Sequence, residues 1–233
     1  MDVQVFIVSW KGMHGRAAGI ERAVLDAGFA THVVYSDPDV NYNYPAAGEV
    51  TRLDDASYWA GKFHACVLAC RANRMLVIHA DTDCADWDRL VRRCVSTMMA
   101  RPDIGVWAPR IEGAFFNLEN AAIRGGREDG LVPVANTDGI VFCLAQPEVE
   151  RMAEADYARN TFGWGIAWLF CCSAYASGRL AVIDTVIEVR HLPGRGFDSG
   201  QALAQAMRFL VRQLRPRERV QFELLTRYIG KIF

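Results

Sequence analysis

The opening 35 residues place the tightest limit on what this chain folds into. Val3, Gln4, Val5, Phe6, Ile7 and Val8 form an apolar run that reads as a buried strand, and it ends at the turn chemistry of Ser9, Trp10, Lys11 and Gly12. Ile20, Val24 and Leu25 then recur at helical spacing as far as Gly28, a residue suited to a helix C-terminus. A second strand follows from Thr31 to Tyr35. Strand, helix and strand in this length make one βαβ unit, the building block of parallel sheets whose ligands lie at the C-terminal strand edge.

The same alternation continues. A helix is expected from about Ser57 to Ala72, a strand from Met75 to Ala80, and a helix capped by Asp86 with Leu90, Val91, Cys94, Val95, Met98 and Met99 on one face. Strands are expected over 104–108, 139–144 and 180–189. A short helix begins at Pro147, another lies within 162–177, and Leu203, Met207, Leu210, Val211 and Leu214 mark an amphipathic helix. Ser36 to Asp55 has little periodicity and reads as a long loop, which in a compact domain is usually functional or mobile.

At 233 residues and 52% hydrophobic, the chain suits one domain around one sizeable core. The expected division is a nucleotide-binding unit over 1–200 and a helical extension over 201–233. A formal net charge of −1 supplies no overall attraction to nucleic acid, and no nucleic-acid partner is expected. The acidic start at Asp2 does not resemble a signal peptide, and no run reaches the ~18 to 20 apolar residues of a membrane span. A soluble, cytoplasmic protein is expected. Its seven cysteines sit mainly in apolar periodic segments, as buried reduced thiols do, and they lack zinc-site spacing.

The most informative chemical feature is Asp81-Thr82-Asp83, which falls where the strand of Leu76, Val77 and Ile78 leaves the sheet. Two carboxylates there suit a hard cation such as Mn²⁺ or Mg²⁺, which neutralises a diphosphate; the alternative is a simple strand-to-helix turn ahead of Asp86.

In context the arrangement resembles the GT-A glycosyltransferases, including the large inverting family that uses nucleoside diphosphate sugars. The first strand ends at a nucleotide-contacting loop, here Ser9 and Trp10; an acidic residue follows the second strand, here Asp37; and the aspartate triplet closes a later strand. Gly61-Lys62-Phe63 looks like that family's helix start near the nucleotide, which places Lys62 at the substrate. Phe162-Gly163-Trp164-Gly165 looks like its acceptor-side motif, and His191 with the Pro193-Gly194-Arg195-Gly196-Phe197 turn looks like the end of its metal and diphosphate site. The resemblance implies an α/β, Rossmann-like fold with a mostly parallel central sheet flanked by helices. It also implies a UDP- or GDP-type sugar donor, an unidentified acceptor, and a metal held by Asp83 and His191. Asp81 would face the ribose or share the metal, and Arg195 would meet the diphosphate. His191 is also readable as a strand-end histidine bonded to backbone, and Trp164 as ordinary core.

One departure stands out. Inverting members carry an acidic general base shortly after Gly-Trp-Gly, whereas this chain has Ile166-Ala167-Trp168 there. Alanine accepts no proton, so another group does the work, the stereochemical course differs, or catalysis is lost. Asp138 is the substitute base, with a structural Asx-turn as its other reading. The competing function is a non-catalytic nucleotide or nucleotide-sugar binder of the same fold. The segment from Arg208 to Phe233 carries seven basic and two acidic residues among apolar ones; it reads as the solvated face of a packed helix or as a peripheral contact with an anionic membrane surface.

Overall fold

The computed structural model describes residues 2–123, 129–192 and 198–230. In chain order its elements are β1 (Gln4–Ser9), α1 (His14–Asp26), β2 (Thr31–Ser36), β3 (Glu49–Leu53), α2 (Trp59–Ala69), β4 (Arg74–His79), β5 (Thr82–Asp83), α3 (Trp87–Ala100) and β6 (Ile104–Glu112). There follow α4 (Leu118–Ala121), β7 (Leu131–Pro133), β8 (Val141–Ala145), α5 (Gln146–Ala153), α6 (Ile166–Ala176), β9 (Leu180–His191), α7 (Ser199–Gln213) and α8 (Pro216–Ile229).

The strands form one sheet in the order β3-β2-β1-β4-β8-β6-β9-β5, with β7 also on β9. Strands β3, β2, β1 and β4 run parallel, as the βαβ pattern predicts, and β6 and β9 are parallel to each other. Strand β8 runs against both β4 and β6, and β5 and β7 run against β9, so the sheet is mixed.

The continuous apolar runs of β1 and β4 are explained by burial on both faces, the signature of central parallel strands. Phe6, Val8, Met75 and Val77 join one core with Phe63 and the helix α6, while Val5, Ile7, Leu76 and Ile78 join a second core with Val24 of α1 and Leu90 of α3. Chain order reverses at β1, with β2 on one side and β4 on the other. A crevice opens at the C-terminal ends of strands beside such a switch point.

Two expectations change. The stretch read as a loop contains β3, an edge strand whose largely exposed residues carry no apolar alternation to betray it. The C-terminal segment is two helices, because Pro216 opens α8 at a position where proline suits a helix start. Both pack on α6: Phe209, Leu210 and Leu225 share its core, Phe222 lies edge-on to Trp168 at 5.2 Å, and buried Arg151 of α5 grips Glu218 of α8 at 2.6 and 2.8 Å. Both helices also present apolar side chains outward, Leu203, Met207 and Val211 from α7 and Val220, Leu224 and Tyr228 from α8. Among the described residues no helix is long and apolar enough to cross a membrane. All seven cysteines are free thiols.

Candidate active site

The end of β1 and the end of β2 are joined by a hydrogen-bonded relay. Ser9, fully buried, meets His14 Nδ1 at 2.8 Å, and His14 Nε2 meets Asp37 Oδ2 at 2.9 Å. The other Asp37 oxygen accepts from the Asp39 amide at 2.8 Å. That amide, more than the His14 contact, holds the Asp37 carboxyl below its usual range against the opposing effect of desolvation. His14 lies flat on Tyr42 with 4.5 Å between ring centres and edge-on to Tyr35 and Tyr44. The loop carrying Tyr42 is fastened by Arg52 of β3, whose guanidinium donates to the carbonyls of Asp37, Asp39, Val40 and Tyr42. This is the function of the strand that the sequence reading missed.

At the end of β4, His79 is the hub. Trp59 of α2 lies edge-on to its ring at 4.3 Å and Trp10 at 6.3 Å. Burial pushes the His79 imidazole down to about 4, with Asp81 opposing the shift and His191 and Lys62 adding to it. The ring is therefore neutral at neutral pH. Lys62, one turn along α2 from Trp59, donates its ammonium to the Ser57 carbonyl at 2.6 Å and is lowered to about 8 by burial, with Asp55 opposing.

Asp81 and Asp83 part company here. Asp81 Oδ2 meets His191 Nε2 at 3.1 Å. Burial works against its ionisation, but the hydrogen bond from His191 and the nearby His79 hold its carboxyl below the usual range. In the β5–β9 ladder Thr82 stands opposite His191 and Asp83 opposite Arg190. Residues directly opposite share a face and neighbours alternate, so His191 lies on the face of Thr82 and Asp83 on the other. Buried Thr82 donates its hydroxyl to the His79 carbonyl at 2.6 Å, bracing the turn between β4 and β5. Asp83 points outward and pairs with Arg16 of α1, which also donates to the carbonyls of Ala80 at 3.2 Å and Thr82 at 3.1 Å.

The expected metal pair of Asp83 and His191 is thus separated by the ladder, and among the described residues no three His, Cys, Asp or Glu side chains converge to hold a cation. Two polar atoms of the His191 face, Asp81 Oδ1 and His79 Nε2, are buried with no hydrogen-bond partner. Arg195 lies outside the described residues.

The Gly-Trp-Gly stretch reaches this hub through Trp59. Gly163 has φ +75°, and a Cβ there would stand 2.3 Å from Trp59 Cδ1; Gly165 has φ +89° and faces Leu210 at 3.2 Å. Both glycines are demanded by backbone shape and close approach. Trp164 is half-buried, and its carbonyl accepts from Asn160 at 3.0 Å. Ala167 follows on α6 against Gly139, where the two Cβ positions would be 3.4 Å apart. The neighbouring Asp138 accepts the amide of Phe116 at 2.7 Å with one oxygen and that of Phe115 with the other. That is the Asx-type arrangement, and it occupies both carboxylate oxygens.

Sequence reasoning named Ser9, Trp10, Asp37, Lys62 and Asp81; the fold brings Ser9, Trp10, Asp37 and Asp81 to the ends of β1, β2 and β4 and places Lys62 on α2, one turn from Trp59. It passed over His14, Arg16, Arg52, Trp59 and His79. His79 alone carried a signal, a polar side chain closing a buried strand two residues before Asp81.

No protein-family model and no curated protein sequence matches the chain. Solved structures do. GalNAc-T7 with UDP, GalNAc and Mn²⁺ matches 94% of this chain at a TM-score of 0.65 and 12% identity, and the chain spans 49% of that protein's length. The chain has the GT-A fold. S. aureus TarS 1-349 with UDP-GlcNAc shares the GT-A fold with it over 98% of this chain and 72% of that one, at a TM-score of 0.61 and 10% identity. A CMP:2-keto-3-deoxy-manno-octonic acid synthetase complexed with CTP matches 92% of this chain and 100% of its own, at 0.53 and 14% identity.

Proposed function

We propose that this chain binds a nucleoside diphosphate sugar at the C-terminal ends of β1, β2 and β4 and transfers its sugar to an acceptor. The observation that carries the reading is that Ser9, Asp37 and Asp81 stand at the ends of three adjacent parallel strands, with one buried carboxylate oxygen, Asp81 Oδ1, that has no partner. A buried acceptor left unmade is costly, and a sugar or ribose hydroxyl satisfies it. UDP and UDP-GlcNAc in two matching glycosyltransferases, and GDP-Man in a matching mannosyltransferase, support a UDP- or GDP-type donor. Transfer of cytidylyl groups is the less favoured chemistry, because Arg16, which follows the Lys11-Gly12 turn after β1, is committed to Asp83 and to the carbonyls of Ala80 and Thr82.

The second reading, a sugar-nucleotide binder without transferase activity, is favoured by one observation. Asp138, the substitute base, spends both oxygens on backbone amides, and Ala167 supplies none. The test is thermal unfolding with UDP, GDP and their sugars, followed by donor turnover. A ligand at ~100 times its Kd adds about 2.7 kcal/mol, which for a chain of this size raises Tm by roughly 5–10 °C. No shift with any of them refutes both readings. With binding secured, donor turnover that rises in Ala167→Asp supports the lost base, since a general base contributes about 100-fold to 10,000-fold. Robust transfer by the unmodified chain, abolished in Asp138→Asn, returns catalysis to Asp138.

A further inference from the structure

The sugar-nucleotide reading raises the question of what neutralises the diphosphate. A divalent cation at a diphosphate takes its oxygen donors from the phosphates, from water and from one or two protein carboxylates. Here Asp83 lies on one face and His191 with Asp81 on the other, and among the described residues no three His, Cys, Asp or Glu side chains converge on one point. To reach His191, Asp83 would have to turn across the β5–β9 ladder, yet its neighbour Thr82 is buried and bonded to the His79 carbonyl at 2.6 Å. It would also have to leave Arg16, a guanidinium already spanning the turn through the carbonyls of Ala80 and Thr82. Freed of Asp83, that partly buried cation would lose its carboxylate partner.

We propose that this site binds a nucleoside diphosphate without a divalent cation, with Arg16 holding Asp83 out of the crevice and the Lys62 ammonium meeting the diphosphate. The proposal rests on the sugar-nucleotide reading for its ligand. Lys62 is suited to the task by position and by donors. Lys62 is buried on α2, one turn from the Trp59 that packs on His79; its ammonium spends one of three N–H groups on Ser57, and no other hydrogen bond engages it among the described residues. A fixed ammonium in a site shielded from water is worth more to an anion than one at the surface. Asp81 Oδ1 and His79 Nε2 remain for hydroxyl groups of the same ligand.

The experiment is calorimetric titration of the intact chain with UDP and with GDP, once in EDTA and once in excess Mn²⁺, alongside a Mn²⁺ titration of the nucleotide-free protein followed by electron paramagnetic resonance. Affinity for the preferred nucleotide should agree within about twofold in the two buffers, and Asp83→Ala should leave it within about twofold. Lys62→Met should weaken binding in EDTA by about tenfold to a hundredfold, the worth of a hydrogen bond to a charged group, and Lys62→Arg should retain most of it. The Mn²⁺ signal of the nucleotide-free protein should stay that of the free ion. Nucleotide binding that appears only with Mn²⁺ and disappears in Asp83→Ala would overturn the proposal, as would stoichiometric Mn²⁺ binding lost in that variant. Undiminished binding by a folded Lys62→Met protein would overturn the part given to Lys62. If neither nucleotide binds in either buffer, the sugar-nucleotide reading fails and the proposal, which takes its ligand from that reading, falls with it.

Discussion

Replacing Gly163 by alanine adds one methyl group at a point where the fold leaves none to spare. The backbone there has φ +75°, and an ideal Cβ lies 2.3 Å from Trp59 Cδ1, 3.0 Å from its Cγ and 3.1 Å from the Ala60 nitrogen. Two penalties result. The left-handed conformation costs a residue with a side chain about 1–2 kcal/mol, and forcing a methyl into filled space costs about 1–3 kcal/mol more. Trp59 has little room to retreat, since its ring packs against His79 at 4.3 Å and Phe63 at 5.3 Å. Gly163→Ala should therefore destabilise the chain by about 2–5 kcal/mol. Two other glycines separate the terms. Gly178 has φ +75° with nothing within 4 Å of its Cβ position, so Gly178→Ala reports the backbone cost alone. Gly165, at φ +89° with Leu210 Cγ at 3.2 Å, should fall between them. Equilibrium unfolding in urea, read as the shift in midpoint at constant slope, gives the three values. A Gly163→Ala protein within about 0.5 kcal/mol of Gly178→Ala would refute the clash and the close approach of the Gly-Trp-Gly loop to Trp59.

Two further outcomes are expected. The His79 imidazole is lowered by burial from 6.5 to about 4, so between those values the unfolded chain takes up a proton that the folded chain refuses. Its contribution is fully present above pH ~6.5 and lost as pH falls toward ~4, an effect on the order of 3 kcal/mol. Urea midpoints across that window should fall less steeply in His79→Gln than in the unmodified chain, and equal slopes would refute the assignment. Arg151→Met leaves the buried Glu218 carboxylate without its bidentate partner and should cost about 3–5 kcal/mol, with Arg151→Met/Glu218→Leu recovering much of the loss. A double variant no more stable than the single one would refute the pairing.

How much of the fold could be read beforehand depended on burial. Strands β1, β2 and β4 are buried along nearly their whole length, so β1 and β4 show apolar runs and β2 a shorter one from Val33 to Tyr35, and the helices between them show one apolar face. Strand β3 escaped because an edge strand with exposed Glu49 and Val50 carries no such run, although Arg52 on it organises the loop before it. The three-residue β7 and four-residue α4 are too short for any period to register. The break between α7 and α8 falls at Pro216, just past Leu214, the last apolar position of the expected amphipathic helix.

The site was legible as a set of residues and illegible as a geometry. Asp81 and Asp83 are two apart, a spacing that in an unbroken strand puts both carboxylates on one face. The chain instead turns at Ala80 and Asp81 between β4 and β5, and that turn brings Asp81 inward to His191 while Asp83 faces out to Arg16. No periodicity in the sequence reports a turn two residues long between two strands of the same sheet. Arg16 was invisible for a related reason: it lies 67 residues from Asp83, and on α1 it reads as one more solvated cation. Shifting β5 by one residue against β9 would exchange the faces and carry Asp83 to His191, because side chains alternate along a strand. The buried hydroxyl of Thr82 on the His79 carbonyl opposes that shift. The identity of the residue between the two aspartates, together with Arg16 beyond them, thus decides which carboxylate the crevice receives. A search for cation sites by the aspartate triplet alone would miss both.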